Sequence, residues 1–408
     1  MSRQQSKALS RRVSQEAVAV SSKNQGHREC GEALRCDLDN AVAGGVDTEA
    51  AADPAAMPTP PLDAEAIRAL LTLATRAPSI DNTQPWRWRV DQSGLHLYAD
   101  PGLQLAATDP DGRDLIVSCG AALNHCVIAL AAMGWRAVVQ RYPDPADPDH
   151  LATIEVYPQA PDRADISLAA AITQRRTDRR IYSPRPVAAA DIASMVALAA
   201  RMGVMLHPVD ARDKLHDIAK QAAQAHATNR DYLIELTRWS GRYGSRAGVP
   251  ARNVPEHDCG ATIPGRIFAA PGLAQPPGAS PSEDNAAILV LSTASDDRLA
   301  QLCAGEATSA LLLTATAMGL ATCPITEPLE IPATRDAVRY EVLGGQGHPQ
   351  MLLRVGWAPD GADPLPSTPR RELSRVVETA RPAANHGAFK AKTRTKPDHA
   401  SGDYAVLG

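Results

Sequence analysis

Ile67, Leu70, Leu71 and Ala74 fall at i, i+3, i+4 and i+7, the spacing of one helix face. Asp63 stands where an N-cap would, and Pro78 ends the run because it lacks the amide that the next turn needs. After Pro85 the period changes to two, with Trp86, Trp88 and Val90 on one face and Arg87 and Arg89 on the other, which predicts a strand. Residues 91–94 read as a turn and 95–98 as the returning strand. A second turn at Asp109, Pro110, Asp111 and Gly112 precedes a long helix over 115–133, closed by Gly134. Ile154 and Val156 alternate in a closing strand.

The same order returns further along. Setting Ile67 on Ile192 brings Leu73, Ala74 and Arg76 onto Leu198, Ala199 and Arg201. Setting Gly120 on Gly305 brings Ala132, Met133 and Gly134 onto Ala317, Met318 and Gly319. The strand near Ile154 then pairs in order with residues 351–357. Helix, strand, long helix and closing strand thus occur twice, which predicts internal duplication; chance likeness between two Ala-rich helices is the alternative. The expected division is a first half over 57–165 and a second over 166–380. A Pro- and Gly-rich stretch at about 239–282 interrupts the second half and is too long for a simple connector. Residues 1–56 and 381–408 carry no core pattern and are expected to be disordered, with Met57 a candidate start.

Composition narrows the classes. The 408 residues carry a net charge of −4, which argues against bulk nucleic-acid binding. Seven scattered cysteines fit a reducing cytoplasm better than a disulfide framework. His27, Cys30 and Cys36 match no standard zinc spacing. Apolar runs are interrupted by Thr, Asn or His before membrane length, so no membrane partner is expected. His125, Cys119 and Cys126 are read as packed residues of the long helix. There is no Gly-x-Ser-x-Gly, Walker or His-Glu-x-x-His motif.

Two polar stretches carry chemistry. Ser79, Asp81, Asn82, Thr83 and Gln84 crowd between the first helix and strand. Their side chains suit either a turn bonded to its own backbone or the edge of a flat heterocycle that both donates and accepts. Arg175, Arg176, Thr177 and Arg179 form the second stretch; guanidinium forks beside a hydroxyl suit a phosphate, while a solvated helix end or a nucleic-acid patch reads equally from the charges alone.

The segment Ala77-Pro78-Ser79-x-x-Asn82-x-Gln84-Pro85-Trp86 resembles the A-P-S-x-x-N-x-Q-P-W segment of the FMN-dependent nitroreductase family. The layout over roughly 58–380 is most similar to the family's Acg branch. The resemblance implies an α+β fold: two duplicated halves forming an internal pseudo-dimer, with mixed or antiparallel sheets flanked by helices. It implies FMN contacts at Pro78, Ser79, Asn82 and Gln84 on the ring side and at Arg175, Arg176, Thr177 and Arg179 on the phosphate and pyrimidine side. Pro324, Ile325 and Thr326 resemble the family's loop facing flavin N5, although Glu327 stands where a glycine is usual. Arg370 and Arg371 resemble a C-terminal basic pair at the phosphate.

The first half keeps the loop and the second keeps the basic grip, so the expectation is one complete site and one erased site, hence one FMN per chain. The chain would be a monomer as an internal pseudo-dimer, or a homodimer. The implied activity is electron transfer from NAD(P)H through FMN to a small-molecule acceptor such as a nitro compound or quinone, with no protein nucleophile. In the Acg branch the inserted segment covers the ring. The alternative is therefore a protein that holds FMN under a closed lid with little turnover.

Overall fold

The computed structural model describes residues 62–378, except 92–93, 243–244, 257–262, 277–278 and 360. The expected disordered ends, the candidate start at Met57 and the His27, Cys30 and Cys36 group lie outside the described residues.

Helix α1 (Ala64–Ala74) begins as its cap predicts, with Asp63 accepting from the Ala66 amide at 2.8 Å. Leu70, Leu71 and Ala74 are buried on its inner face. Strand β1 (Trp86–Asp91) buries Trp86 and Trp88 completely. It pairs antiparallel with β2 (Gly94–Ala99). Helix α2 (Arg113–Ala132) follows, then β3 (Trp135–Arg141) and β4 (His150–Pro158). Helix α3 (Arg163–Gln174) starts in a capping box between Asp162 and Asp165.

The second set begins with α4 (Ala189–Arg201) and β5 (Met205–Pro208). Helices α5 (Arg212–Thr228) and α6 (Arg230–Trp239) lead into the insert, which holds short strands β6 (Ser240–Arg242) and β7 (Val249–Pro250). Then come β8 (Ala287–Thr293), α7 (Arg298–Ala317), β9 (Ala321–Ile325), the one-turn α8 (Glu327–Glu330) and β10 (His348–Gly356). The chain closes on β11 (Val377–Glu378).

The two main sheets share one plan. The first has the order β11-β1-β2-β4-β3 and the second β5-β8-β10-β9. Without β11, each is four strands joined antiparallel throughout. Only β11 runs parallel to its neighbour, β1, which makes the first sheet mixed. Both bounds of α7 lie 185 positions after those of α2.

The central helices meet backbone to backbone. A Cβ on Gly120 would lie 2.2 Å from the Leu302 carbonyl oxygen, and one on Gly305 would lie 2.1 Å from the Val117 oxygen. Those partners are also 185 positions apart, so the contact is reciprocal. Leu302 and Leu313 of α7 enter the core under the first sheet, while Val117 of α2 enters the core under the second. Helix α3 and Val376 also pack into the first core, so material C-terminal to residue 165 completes it.

Helix α2 is apolar and long enough to cross a membrane by length and composition alone, but 78% of that window is buried inside the fold. Cys119, Cys126 and His125 are fully buried on it. Burial, and then the charge of Arg175, holds the His125 imidazole well below its usual pKa.

Candidate functional site

The connection from α1 to β1 is built under backbone strain. Asp81, Asn82 and Gln84 all have positive φ, at 41°, 55° and 55°. Non-glycine residues take that region at a cost that the surroundings must offset. Here the offset is hydrogen bonding. Ser118 of α2 accepts from the Ile80 amide at 3.0 Å and donates to the Asp114 carbonyl at 2.6 Å. The Ser79 hydroxyl accepts from the Gln84 amide at 3.0 Å.

This loop forms one wall of a cavity of about 200 Å³, through Pro78, Ser79, Ile80 and Asp81. Pro324, Ile325 and Thr326 form another wall at the end of β9. Thr177 and Arg179 join them because Thr177 bridges in parallel to Thr322 and Asp178 donates its amide to the Thr322 carbonyl at 2.9 Å. The insert supplies a third wall, with Ile263, Arg266 and Phe268. Arg179 lies over the Phe268 ring at 4.8 Å.

Seven of the thirteen residues expected at the site therefore line one cavity. The others behave differently. Asn82 donates to the carbonyls of Gly248 (3.0 Å) and Pro369 (3.2 Å). Gln84 donates to the carbonyls of Asn82 (3.2 Å) and Arg246 (3.0 Å) and accepts from the Arg371 amide at 2.8 Å. These two amides fasten the insert and the C-terminal segment to the loop. Arg176 gives Nη1 to the carbonyls of Thr173 and Arg175. Arg370 donates to the carbonyls of Thr75, Arg76 and Ala77 just past α1 and to Asn82 Oδ1 at 3.0 Å. Such donors satisfy carbonyls that a helix leaves open at its C-terminus.

Arg175 stands apart from these. It is 5% exposed, yet its Nε and Nη1 have no hydrogen-bond partner. Burial and then the neighbouring Arg176, Arg76 and Arg179 pull its pKa down to about 10. Burial and then Arg175, Arg76 and Arg176 likewise pull Arg370 down to about 9. After burial, the mutual repulsion of these guanidiniums is what lowers both values, so the cluster concentrates positive charge at one place.

The comparisons with known proteins fit this geometry. The profile of the Nitroreductase family matches residues 172–357. A Mycobacterium tuberculosis protein named "Putative NAD(P)H nitroreductase Rv3131" is 66% identical over 325 residues, which cover 80% of this chain and 94% of that one. The chain belongs to the nitroreductase family. "Putative NAD(P)H nitroreductase acg", from the same organism, is 36% identical over 327 residues, covering 78% of this chain and 97% of its own. The crystal structure of the FMN-dependent nitroreductase NfnB from Mycobacterium smegmatis in complex with NADPH aligns at 22% identity and a TM-score of 0.33, over 54% of this chain and all of its own.

The nitroreductase profile begins just before Arg175, so the α1–β1 loop lies outside the matched stretch. Sequence reading missed several contributors to the cavity of this nitroreductase, among them Asp114, Arg266, Thr308 and Arg354; Glu327, noted in the sequence where the family usually has glycine, lines it too. Glu327 starts α8 and its carboxylate meets His226 Nδ1 at 3.2 Å. Asp114 is visible in sequence as an acid at the start of an apolar helix, a pattern that also fits simple capping. Arg266 sits in a Pro- and Gly-rich stretch without periodicity, which gives no signal.

Proposed function

We propose that the chain is an FMN-dependent oxidoreductase that takes electrons from NAD(P)H and passes them to a small-molecule acceptor such as a nitro compound or quinone. The observation that carries this reading is the buried guanidinium of Arg175, with Nε and Nη1 lacking a hydrogen-bond partner, among other arginines and next to the sequence that lines the cavity. It suits the phosphate of FMN, because charge-assisted donors already desolvated lose nothing more on pairing. Arg76, Arg176 and Arg370 add charge around it, while Pro78, Ser79, Thr177, Arg179, Pro324, Ile325 and Thr326 are the contacts we assign to the ring side. Asn82 and Gln84, and the main-chain amide of Arg371, hold the loop that carries Pro78 and Ser79 in place.

When bound, FMN supplies hydride acceptance and electron delivery. The chain's own part is to hold, orient and shield. Arg179 brings positive charge to the cavity, and Phe268 keeps that guanidinium stacked and directed. Ile263 and Phe268 narrow water access from the insert side. Both halves contribute to the one cavity lining, so one chain carries one site, as a monomer or as each member of a homodimer. Four buried cysteines among the described residues stand outside any disulfide, which supports a cytoplasmic setting.

Flavin released by heat from reconstituted protein should approach one mole per mole, and a value of two would overturn the single site. Arg175→Ala should weaken FMN by about 1.5–3 kcal/mol, the scale of a charged hydrogen bond. Riboflavin, which lacks the phosphate, should be nearly unaffected; equal losses for the two would move Arg175 away from the phosphate.

A second reading is favoured by the insert that walls the cavity: a protein that stores FMN and turns over little. Bleaching of the bound flavin by NADPH separates the two readings, being fast for the oxidoreductase and absent for the store.

A further inference from the structure

The insert is joined to the rest of the chain in two ways. At its base, Asn82, Gln84 and Asn253 donate hydrogen bonds to main-chain carbonyls. Further out, Gln275 accepts from the Ile181 amide at 3.0 Å and Arg179 lies over Phe268, while the buried ionic ties come from one side chain. Arg266 is 7% exposed and reaches acceptors on three separate segments. Its Nη2 donates to Glu330 Oε1 and, at 3.3 Å, to Thr326 Oγ1, both beyond β9. Its Nη1 donates to the Tyr232 hydroxyl of α6 at 3.2 Å and lies 3.6 Å from Asp81 Oδ2 in the strained loop. Among the described residues, the buried ion pairs of the insert all belong to Arg266; the pair between Arg246 and Glu372 is exposed.

We propose that Arg266 is a latch: a positioning residue that pins the insert across the cavity and ties the Asp81 loop to the Thr326–Glu330 segment opposite. The geometry suits an arginine and not a lysine. Three partners in different directions need the planar fork, whereas an ammonium offers one compact centre. Tyr232 stacks on His226 at 3.9 Å, which fixes the hydroxyl that Arg266 reaches. Glu330 has a side chain with 0% exposure, and Thr326 donates to the same Oε1 at 2.6 Å, so the carboxylate cannot turn to water when the latch is lost. Arg266 also faces the cavity, so opening the insert and rearranging two cavity walls become one event. The latch is independent of what the cavity holds. Its consequence, control of access to a flavin, rests on the function proposed above.

Amide hydrogen exchange of the full chain tests it, with and without added FMN. Arg266→Met should speed exchange of residues 263–268 at least about tenfold while the central helices α2 and α7 keep their protection. Arg266→Lys should restore only part of that protection. Unchanged exchange of 263–268 in Arg266→Met overturns the proposal. Faster exchange spread equally over α2 and α7 overturns it too, since that marks a general loss of stability. Should Arg266→Met not fold, Glu330→Gln keeps the shape and removes the opposing charge. It should speed exchange of 263–268 several-fold, and no change there overturns the latch. On a protein that retains FMN, the open variants should also let dithionite reduce the flavin faster. If exchange in the insert rises but no flavin is ever retained, the latch stands and the flavin reading falls.

Discussion

Helices α1 and α4 both feed a strand, yet by different routes. Between α1 and β1 run eleven residues, 75–85, crowded with polar side chains and three strained non-glycine positions. Between α4 and β5 run three residues, 202–204, with the left-handed position given to Gly203. Around these connections the strand order is the same. A shared framework has kept its packing in both halves, and of these two connections only the first has accepted backbone strain at non-glycine positions. Strain persists where other groups hold it, and here Ser118, Arg370, the insert and the C-terminal segment all do so.

The comparison breaks most completely at its centre. Gly120→Ala and Gly305→Ala each place a Cβ about 2 Å from a carbonyl of the other helix, backbone that cannot step aside. Each should cost about 3 kcal/mol or more, with similar losses for the two if the contact is truly reciprocal. Denaturant midpoints of the two variants check this; a large loss for one alone would show that only one half depends on the crossing.

A second effect separates the two central helices by pH. Asp109 accepts from the amides of Asp114 and Leu115 at the start of α2, buried, and its pKa is pushed up to about 7 by burial and then by Asp114. The matching helix α7 is capped by Asp297, whose bond to the Ala300 amide is exposed. A raised pKa in the fold means that the folded chain keeps a proton which the unfolded chain gives up near the ordinary value of 3.8. That stabilisation is complete below about 4 and is lost as pH rises through about 7. The thermal midpoint should therefore fall between those values, and Asp114→Asn, which removes the neighbouring charge, should flatten the fall. Asp297→Asn should leave it as it is.

Asn82→Ala removes two donated bonds and the one accepted from Arg370, and leaves the Gly248 and Pro369 carbonyls without that partner, a loss of about 1–3 kcal/mol. Its mark should be proteolysis within the insert, at Arg246 or Arg252, before the core unfolds. If cleavage and unfolding stay coincident, the loop is not what anchors the insert. The smallest effect lies at the helix starts. Asp63 caps α1, whereas Ala188 at the start of α4 offers no side-chain cap. Asp63→Ala should cost about 1 kcal/mol and Ala188→Asp should gain up to that amount, read from the same midpoints.

Much of the framework was legible in the chain. The period change at Pro85, the cap at Asp63 and the two long helices in register all depend on near neighbours, and near neighbours are what a sequence prints side by side. The cavity lining at Ser79, Thr177 and Pro324 was reached through the family resemblance, and those residues do meet. The roles of Asn82 and Gln84 were not legible. Their amides announce a capacity to bond, but the partners at Gly248 and Arg246 lie more than 160 positions away. Arg266 was hidden for the same reason: a buried cation is defined by the carboxylates that fold around it, and Asp81 and Glu330 come from opposite halves.

Strand β11 has a consequence for how the protein is made. The outer edge of the first sheet is occupied by Val377 and Glu378, paired with Trp88 and Arg89 and held by the ion pair of Glu378 with Arg87. A ribosome finishes β1 almost three hundred residues before it supplies that edge. Throughout that interval the first half has an open strand, and until residue 313 is made it also lacks Leu302 and Leu313 in its core. The chain therefore cannot mature one half at a time. Its nascent first half should need a chaperone or a neighbour to cover it, and truncation anywhere before Val376 should release an aggregating product rather than a smaller protein.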